Sequence, residues 1–515
     1  MKHPLTHRHI IVHVIFSVLL LIYVGIGFRV YSDYGVPIDE YSQIELGRVN
    51  YERIVNGNPD IQTQYDRYYG PAFEVPLYVF GNLLQTRFGI DQMSARHLGI
   101  FLFFVFSLVL FYRFLTVITG HPGYGVLGAA LLVLSPRFFA ESFYNTKDIA
   151  FLSATIFVLW AYVRPKNPAW VWLVVLAAAT GFAIAIRAQG LLLLFVLVAT
   201  LLFTGKETSR VRIQTAVTYI VSSLGFTYGM FPVFWNDTLS NIVGFWQSSA
   251  NPVGVPTYYF GTFYVSPAIP WHYHFVWVAI SGLLSVIITA VMGVIWFALF
   301  RGGKTPGGKT QPFVVMALII AGTFLTSVFF HPRSYDGWRH IYYVYPCLIG
   351  FSVYMLQRCL IRLRTPVGKV AFFVLVLLVC ADVVSAAAFM VRNHPNEHMY
   401  FNVLAGNYKK AKANFDFDYW GISYKQIFGY LMSLPNTKPM TVYFEQVLPY
   451  TEVVMIPFLQ KKGMRVAPSP EEADLYVTIN RDFKESPPLQ FRKIYAVTVE
   501  GADASAVYVR DGFIF

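Results

Sequence analysis

Apolar runs of about twenty residues recur along this chain, and they restrict its fold more than any other feature. A helix of that length crosses the hydrocarbon core of a bilayer. The runs lie near 10–30, 97–119, 123–141, 149–164, 168–187, 190–205, 213–235, 272–300, 312–330, 341–361 and 367–391. They predict an all-α polytopic membrane protein with about eleven transmembrane helices. Composition agrees: 56% of the 515 residues are hydrophobic and 13% charged, where a soluble protein carries roughly 25% charged residues. The first run follows Lys2 and Arg8 without a clear small-residue cleavage site. It reads as a retained signal-anchor helix.

Charge orients the chain. The links bearing Arg164/Lys166, Lys206/Arg210/Arg212, Arg301/Lys304/Lys309 and Arg358/Arg362/Arg364/Lys369 all fall on the N-terminal side of this arrangement. The positive-inside rule then predicts a cytoplasmic N-terminus and an external C-terminus. The net charge of +12 is accounted for by topology, with no part for nucleic acid. Cys347, Cys359 and Cys380 lack metal spacing and read as small apolar fillers.

Four pieces reach the outer side: 31–96, 142–148, 236–271 and the tail. Within the first, residues 41–55 read as a short interfacial helix stopped by Gly57-Asn58-Pro59, and residues 71–86 as a second. The 236–271 segment is rich in Trp, Tyr, Pro and Gly. It reads either as aromatic faces for a sugar or lipid, or as an interfacial belt. The chain divides into a transmembrane part, 1–391, and a C-terminal α/β domain, 392–515. That domain has predicted strands at 441–444, 473–479 and 493–499 and a helix over 449–462.

Charged residues gather on the outer side. Asp39 and Glu40 follow the first span, Lys147-Asp148 precede the fourth, Arg187 separates two apolar runs, and Arg339-His340 precede the tenth. Asp39 and Asp148 each have a plain reading as helix caps, and Glu40 as a first-turn acid. Arg339 has one as a partner of Asp336. Arg187 lies against the positive-inside bias, where a charge points to function. Together these residues suit sugar transfer from a lipid phosphate. That reaction needs a carboxylate to take the acceptor's proton, cations to hold the departing phosphate, and a cavity open to the bilayer.

The order and sidedness of these motifs resemble the GT-C class of membrane glycosyltransferases. The similarity is to the protein O-mannosyltransferases and the lipid A aminoarabinose transferases. It rests on Asp39-Glu40 with two juxtamembrane helices, Asp148 after Ser135-Pro136-Arg137-Phe138-Phe139, and Arg339-His340 ahead of Tyr345-Pro346. The segment 394–402 with Asp418-Tyr419-Trp420-Gly421 resembles bacterial members of the class. The resemblance covers about residues 10–425. It implies Asp39 as general base, Glu40 positioning the acceptor or a cation, and Arg187, Arg339 and His340 on the donor phosphate with Lys147. Asp148 would orient the sugar or a metal. The donor would be a polyprenyl-phosphate sugar, the acceptor a lipid, glycan or protein, and the setting a bacterial inner membrane with a periplasmic site. No cofactor is firmly implied, although a divalent metal is compatible with some relatives.

Two other classes fit less of the chain. A flippase for a lipid-linked sugar should show inverted repeats and midplane polar residues, neither of which is visible. A non-catalytic assembly subunit leaves Asp39, Glu40 and Arg187 unexplained.

Overall fold

The structure is a computed structural model. It describes residues 7–63, 66–164, 167–204, 207–250, 254–266, 268–300, 309–330, 334–361, 366–435, 439–479 and 490–513. Lys166, Lys206, Arg301, Lys304, Arg362, Arg364 and the 251–253 stretch lie outside the described residues.

Every apolar run is helical. The first is α1 (His7–Val30), followed by the juxtamembrane helices α2 (Glu40–Asn56) and α3 (Pro71–Phe88). Then come α4 (Gln92–Thr119), α5 (Pro122–Val133), α6 (Pro136–Tyr144), α7 (Asp148–Val163), α8 (Ala169–Ile184), α9 (Gly190–Thr204) and α10 (Ser209–Gly229). After α11 (Thr238–Ala250) the chain continues through α12 (Tyr273–Ser281), α13 (Leu284–Leu299), α14 (Gln311–Phe330), α15 (Tyr345–Ile361) and α16 (Pro366–Asn393).

Among the described residues, five stretches are long and apolar enough to cross a membrane alone: Arg8–Val30, Gln92–Thr119, Gln311–Phe329, Arg339–Ile361 and Pro366–Asn393. The predicted run at 123–141 is two helices, α5 and α6, bent by 72°. Pro136 opens α6 and cannot continue the ladder of α5. The 272–300 run also breaks in two. The N–H of Ser285, at the start of α13, donates instead to Asp382 of α16 at 2.7 Å. Helices α7, α8, α9 and α13 are shorter, at 15–16 residues.

The main core gathers around α4, α6, α7 and α15, with Phe101, Phe111, Phe138, Phe151, Tyr342 and Phe351 almost wholly inaccessible. In contrast, only 17% of the apolar window of α1, and of α16, is buried. These two helices present apolar side chains outward, as a lipid-facing helix does.

Both juxtamembrane helices form where the sequence predicts them, and α2 ends at Gly57 with the positive φ of 69° that favours glycine. They are held to α4 by a buried ionic triad. Arg96 donates to Glu74 at 2.8 Å and is paired with Glu40, and all three side chains are at most 3% exposed. Breaking a buried pair from one side costs roughly 3–5 kcal/mol, because a charge is left uncompensated. Arg96→Met, which strands two carboxylates, is therefore expected to lower the thermal unfolding midpoint sharply in detergent. A midpoint within a degree of the parent's would show that the triad contributes nothing.

The tail begins inside the main core: Tyr400, Phe401, Phe417, Tyr419 and Trp420 pack there. From Tyr424 onward a second core forms around a five-stranded sheet. Its strands include the three predicted. In chain order, after a hairpin of β1 (Pro256–Tyr259) and β2 (Thr262–Val265), they are β3 (Met440–Phe444), β4 (Met464–Val466), β5 (Leu475–Thr478), β6 (Phe491–Val499) and β7 (Ala502–Arg510). The order is β4-β3-β5-β7-β6, parallel for the first three and antiparallel thereafter.

This second core reaches back to the outer loop, since Val36 is buried in it and Ile38 packs against it. Gly35 is required there, because a Cβ would lie 2.2 Å from the carbonyl oxygen of Ile422. A further tie joins the end of α16 to the loop. His394 contacts Asp33 at 3.1 Å and Glu397 at 2.7 Å. Burial draws its pKa down, but hydrogen bonds and charge from Glu397 and Asp33 more than offset this and leave it raised. A raised histidine stabilises the fold fully below its unfolded pKa of about 6.5, and the contribution is lost as pH rises through the folded value. The midpoint difference between the parent and His394→Gln should therefore shrink as pH is raised from 6 to 9. A difference that grew with pH would reverse the assignment.

Candidate active site

The loop-borne charges predicted for the outer side converge at one end of the bundle. Asp39 precedes α2 but does not cap it: its side chain makes no capping hydrogen bond. Its carboxylate instead faces Lys147 at 3.4 Å and Arg339 at 3.8 Å. Asp148 is likewise not the cap of α7. Asn145 does that work, accepting from the N–H groups of Lys147 at 3.2 Å and Asp148 at 2.8 Å. The Asp148 carboxylate is thereby left to pair with Arg187 and with Arg339, at 3.3 Å for the latter. Arg339 also reaches Asp336 at 3.0 Å, as the plain reading of the sequence had it.

Local backbone brings these groups within reach. Asp336 and Gly337 both have positive φ, 55° and 75°, turning the chain sharply before the 3-10 turn Arg339–Val344. Aspartate and glycine are residue types that tolerate that region. Gly70 lets the loop before α3 lie directly on the turn after α8: a Cβ there would stand 1.9 Å from the carbonyl oxygen of Ala185. This contact sets Tyr69 near Arg187, and the ammonium of Lys147 lies 4.6 Å from the centre of the Tyr69 ring. Burial works against the Lys147 ammonium, yet Asp39 and neighbouring groups hold its pKa above the ordinary lysine value.

The carboxylates differ in access. The side chain of Asp39 is 32% exposed, whereas those of Asp148, Asp336 and Glu40 are at most 3%. Glu40 stands apart from the cation cluster, turned into the Arg96 triad. That position makes it a holder of α2.

Beside the cluster lies a cavity of about 270 Å³, walled in part by Tyr69, Arg187, His274, His340, Thr323 and Ser327. His274 and His340 are 3% and 5% exposed. Among the described residues, one ring nitrogen of each, Nε2 of His274 and Nδ1 of His340, has no hydrogen-bond partner. His274 was not anticipated from the sequence. Its signal was an ionisable residue inside the apolar run of α12, a placement that points to function. Among the described residues, no carboxylate lines the cavity. Among the described residues, no three His, Cys, Asp or Glu side chains converge as ligands for a metal ion.

The tail supplies one wall of the cluster. Trp420 lies under the Arg339 guanidinium at 4.6 Å, and its carbonyl accepts from the Ile38 N–H at 3.1 Å, next to Asp39. The turn carrying Trp420 is held by Asp418. Its carboxylate accepts from the N–H groups of Gly421, Ile422 and Ser423 at 3.0–3.1 Å and contacts His398 at 3.0 Å. Burial raises the Asp418 pKa, but His398 and the Ser423 hydrogen bonds outweigh it and leave it lowered. A second buried network backs the cluster. Glu141 accepts from Tyr342 at 2.7 Å, Tyr419 at 3.1 Å and Asn145 at 2.7 Å.

Comparison with known proteins places this architecture. The GT-C class of membrane glycosyltransferases has this fold, and this multi-pass membrane chain resembles its members. Residues 81–235 match the family described as dolichyl-phosphate-mannose-protein mannosyltransferase. The crystal structure of ArnT from Cupriavidus metallidurans in the apo state aligns over 96% of this chain and 98% of its own, with 14% identity and a TM-score of 0.51. The same protein bound to undecaprenyl phosphate aligns over 96% and 97%, with 15% identity and a TM-score of 0.49. The Archaeoglobus fulgidus oligosaccharyltransferase in the apo form aligns over 89% and 65%, with 11% identity and a TM-score of 0.46. No curated protein sequence matches the chain significantly.

Proposed function

We propose that this protein transfers a sugar from a polyprenyl-phosphate donor to an acceptor at the membrane face bearing the cluster, with Asp39 as general base. The observation that carries this reading is the position of Asp39. It is the accessible carboxylate of the cluster, facing Lys147 and Arg339, and a third cation of the cluster, Arg187, borders a cavity. The family matched by residues 81–235 is described by a dolichyl-phosphate sugar donor, which supports a lipid phosphate here.

The chemistry follows from the placement. As the acceptor hydroxyl oxygen bonds to the anomeric carbon, its proton passes to the Asp39 carboxylate. The bond from that carbon to the phosphate oxygen breaks, and the lipid phosphate leaves with one more negative charge. Arg187, Arg339 and Lys147 stabilise that charge. Asp148, buried between the two arginines, fixes their direction rather than touching the sugar. The cavity beside Arg187 receives the sugar, and the unpartnered nitrogens of His274 and His340 are available to its hydroxyls. Among the described residues the lining holds no carboxylate, which favours an uncharged sugar over a cationic one.

A flippase reading has less support, because the charges lie at helix ends rather than at the bilayer midplane. The deciding experiment follows radiolabelled sugar from a polyprenyl-phosphate donor in membranes containing the protein. Label passing to an acceptor supports transfer. Label that moves between leaflets while still attached to its lipid would establish transport instead.

A further inference from the structure

At the opposite end of the bundle from the candidate active site lies a second opening, of about 560 Å³, between α1, α4 and α7. Its walls include Phe16 and Leu20 of α1, Val109 of α4, and Trp160 and Val163 of α7. Helix α1 touches the bundle beside this groove through Phe16, which stacks on Tyr112 with ring centres 3.8 Å apart. His13 adds a 2.5 Å contact to the Tyr112 hydroxyl. Elsewhere α1 is largely exposed.

Two guanidinium groups stand at the groove. Arg113 is exposed and Arg164 half-buried, the latter lying 5.4 Å from the Trp160 ring. Among the described residues, no Asp or Glu lines the groove and neither arginine is paired with a carboxylate. An apolar slot within a bilayer is filled by an acyl chain, since neither water nor a void is favourable there. Basic residues at the mouth of such a slot between helices select an anionic headgroup.

We propose that this groove binds an anionic phospholipid of the leaflet opposite the candidate active site. One acyl chain lies along Phe16, Leu20, Val109 and Val163, and the phosphate sits between Arg113 and Arg164. The arginine fork suits phosphate oxygens, and the adjacent tryptophan suits the depth of the headgroup–chain boundary. The bound lipid wedges α1 against α4 and α7, where protein packing alone leaves the slot open.

The test uses the full chain, purified in detergent and titrated separately with phosphatidylglycerol, phosphatidylcholine and inorganic phosphate. Retained lipid is read by native mass spectrometry and the unfolding midpoint by thermal shift. Phosphatidylglycerol is expected to bind roughly tenfold to thirtyfold more tightly than phosphatidylcholine and to raise the midpoint. The double variant Arg113→Ala/Arg164→Ala should lose that preference, while Arg210→Ala, outside the groove on an exposed stretch of α10, should keep it. Val109→Trp, which fills the slot, should reduce retention of both lipids. Equal binding of the two lipids, or an unchanged preference in the double variant, would overturn the proposal. So would protection by inorganic phosphate alone, or an equal loss in Arg210→Ala.

Discussion

Asp39→Asn is expected to leave the protein folded and inserted while lowering sugar transfer by roughly 10²–10⁴-fold. The amide matches the carboxylate in size but cannot take the acceptor's proton. Because Asp39 makes no side-chain cap to α2, the substitution removes no helix-capping bond. What it does remove are the ion pairs to Lys147 and Arg339, which are long at 3.4 and 3.8 Å and partly exposed. Arg339 keeps its pairs with Asp148 and Asp336, so its buried charge stays compensated. The neighbouring Glu40→Gln is the informative contrast: it acts on the buried Arg96 triad, and so on the unfolding midpoint. Turnover assays and thermal unfolding run side by side separate the two. Parental turnover in Asp39→Asn would reduce Asp39 to a counter-ion for Lys147 and Arg339.

Removing either arginine of the cluster should be nearly as damaging, through a different constant. Arg187→Ala and Arg339→Ala are each expected to lower kcat by roughly 10²–10³-fold and to raise the donor KM, leaving the acceptor KM nearly unchanged. The reason is that the phosphate gains charge as the sugar departs, and a cation set beside it acts mainly on that late charge. Asp148 pairs with both arginines. Either single loss leaves the buried Asp148 with one cation; Arg339→Ala also breaks the buried pair to Asp336 and should lower the unfolding midpoint more than Arg187→Ala does. Lysine at either position should restore only part of the rate, since it lacks the planar fork. Steady-state kinetics with donor and acceptor varied separately make the comparison. A change confined to the acceptor KM would move these arginines to the acceptor side.

The sequence by itself determined the membrane class, because hydrocarbon tolerates backbone only when its hydrogen bonds close within the segment, and twenty-residue apolar runs meet that need. It also determined the two juxtamembrane helices and three of the tail strands, through Gly57, Pro71 and alternating apolar residues whose effects are local. It marked the charged residues of the cluster, because a charge near an apolar run is costly enough to stand out. Their roles were decided only by the tertiary structure. Asp39 and Asp148 have the same local signature, an acid where a helix begins, yet Asn145 caps α7 and frees Asp148 to bind two arginines. Adjacent Asp39 and Glu40 separate into an accessible carboxylate and a buried one, because Arg96 and Glu74 arrive from α4 and α3. Trp420 comes to Arg339 from 81 positions along the chain, and His274 and His340 line one cavity formed by several helices. Which charge faces which, and which face of a side chain water can reach, depends on packing between distant segments. Local preference and hydrophobic period carry no information about that packing.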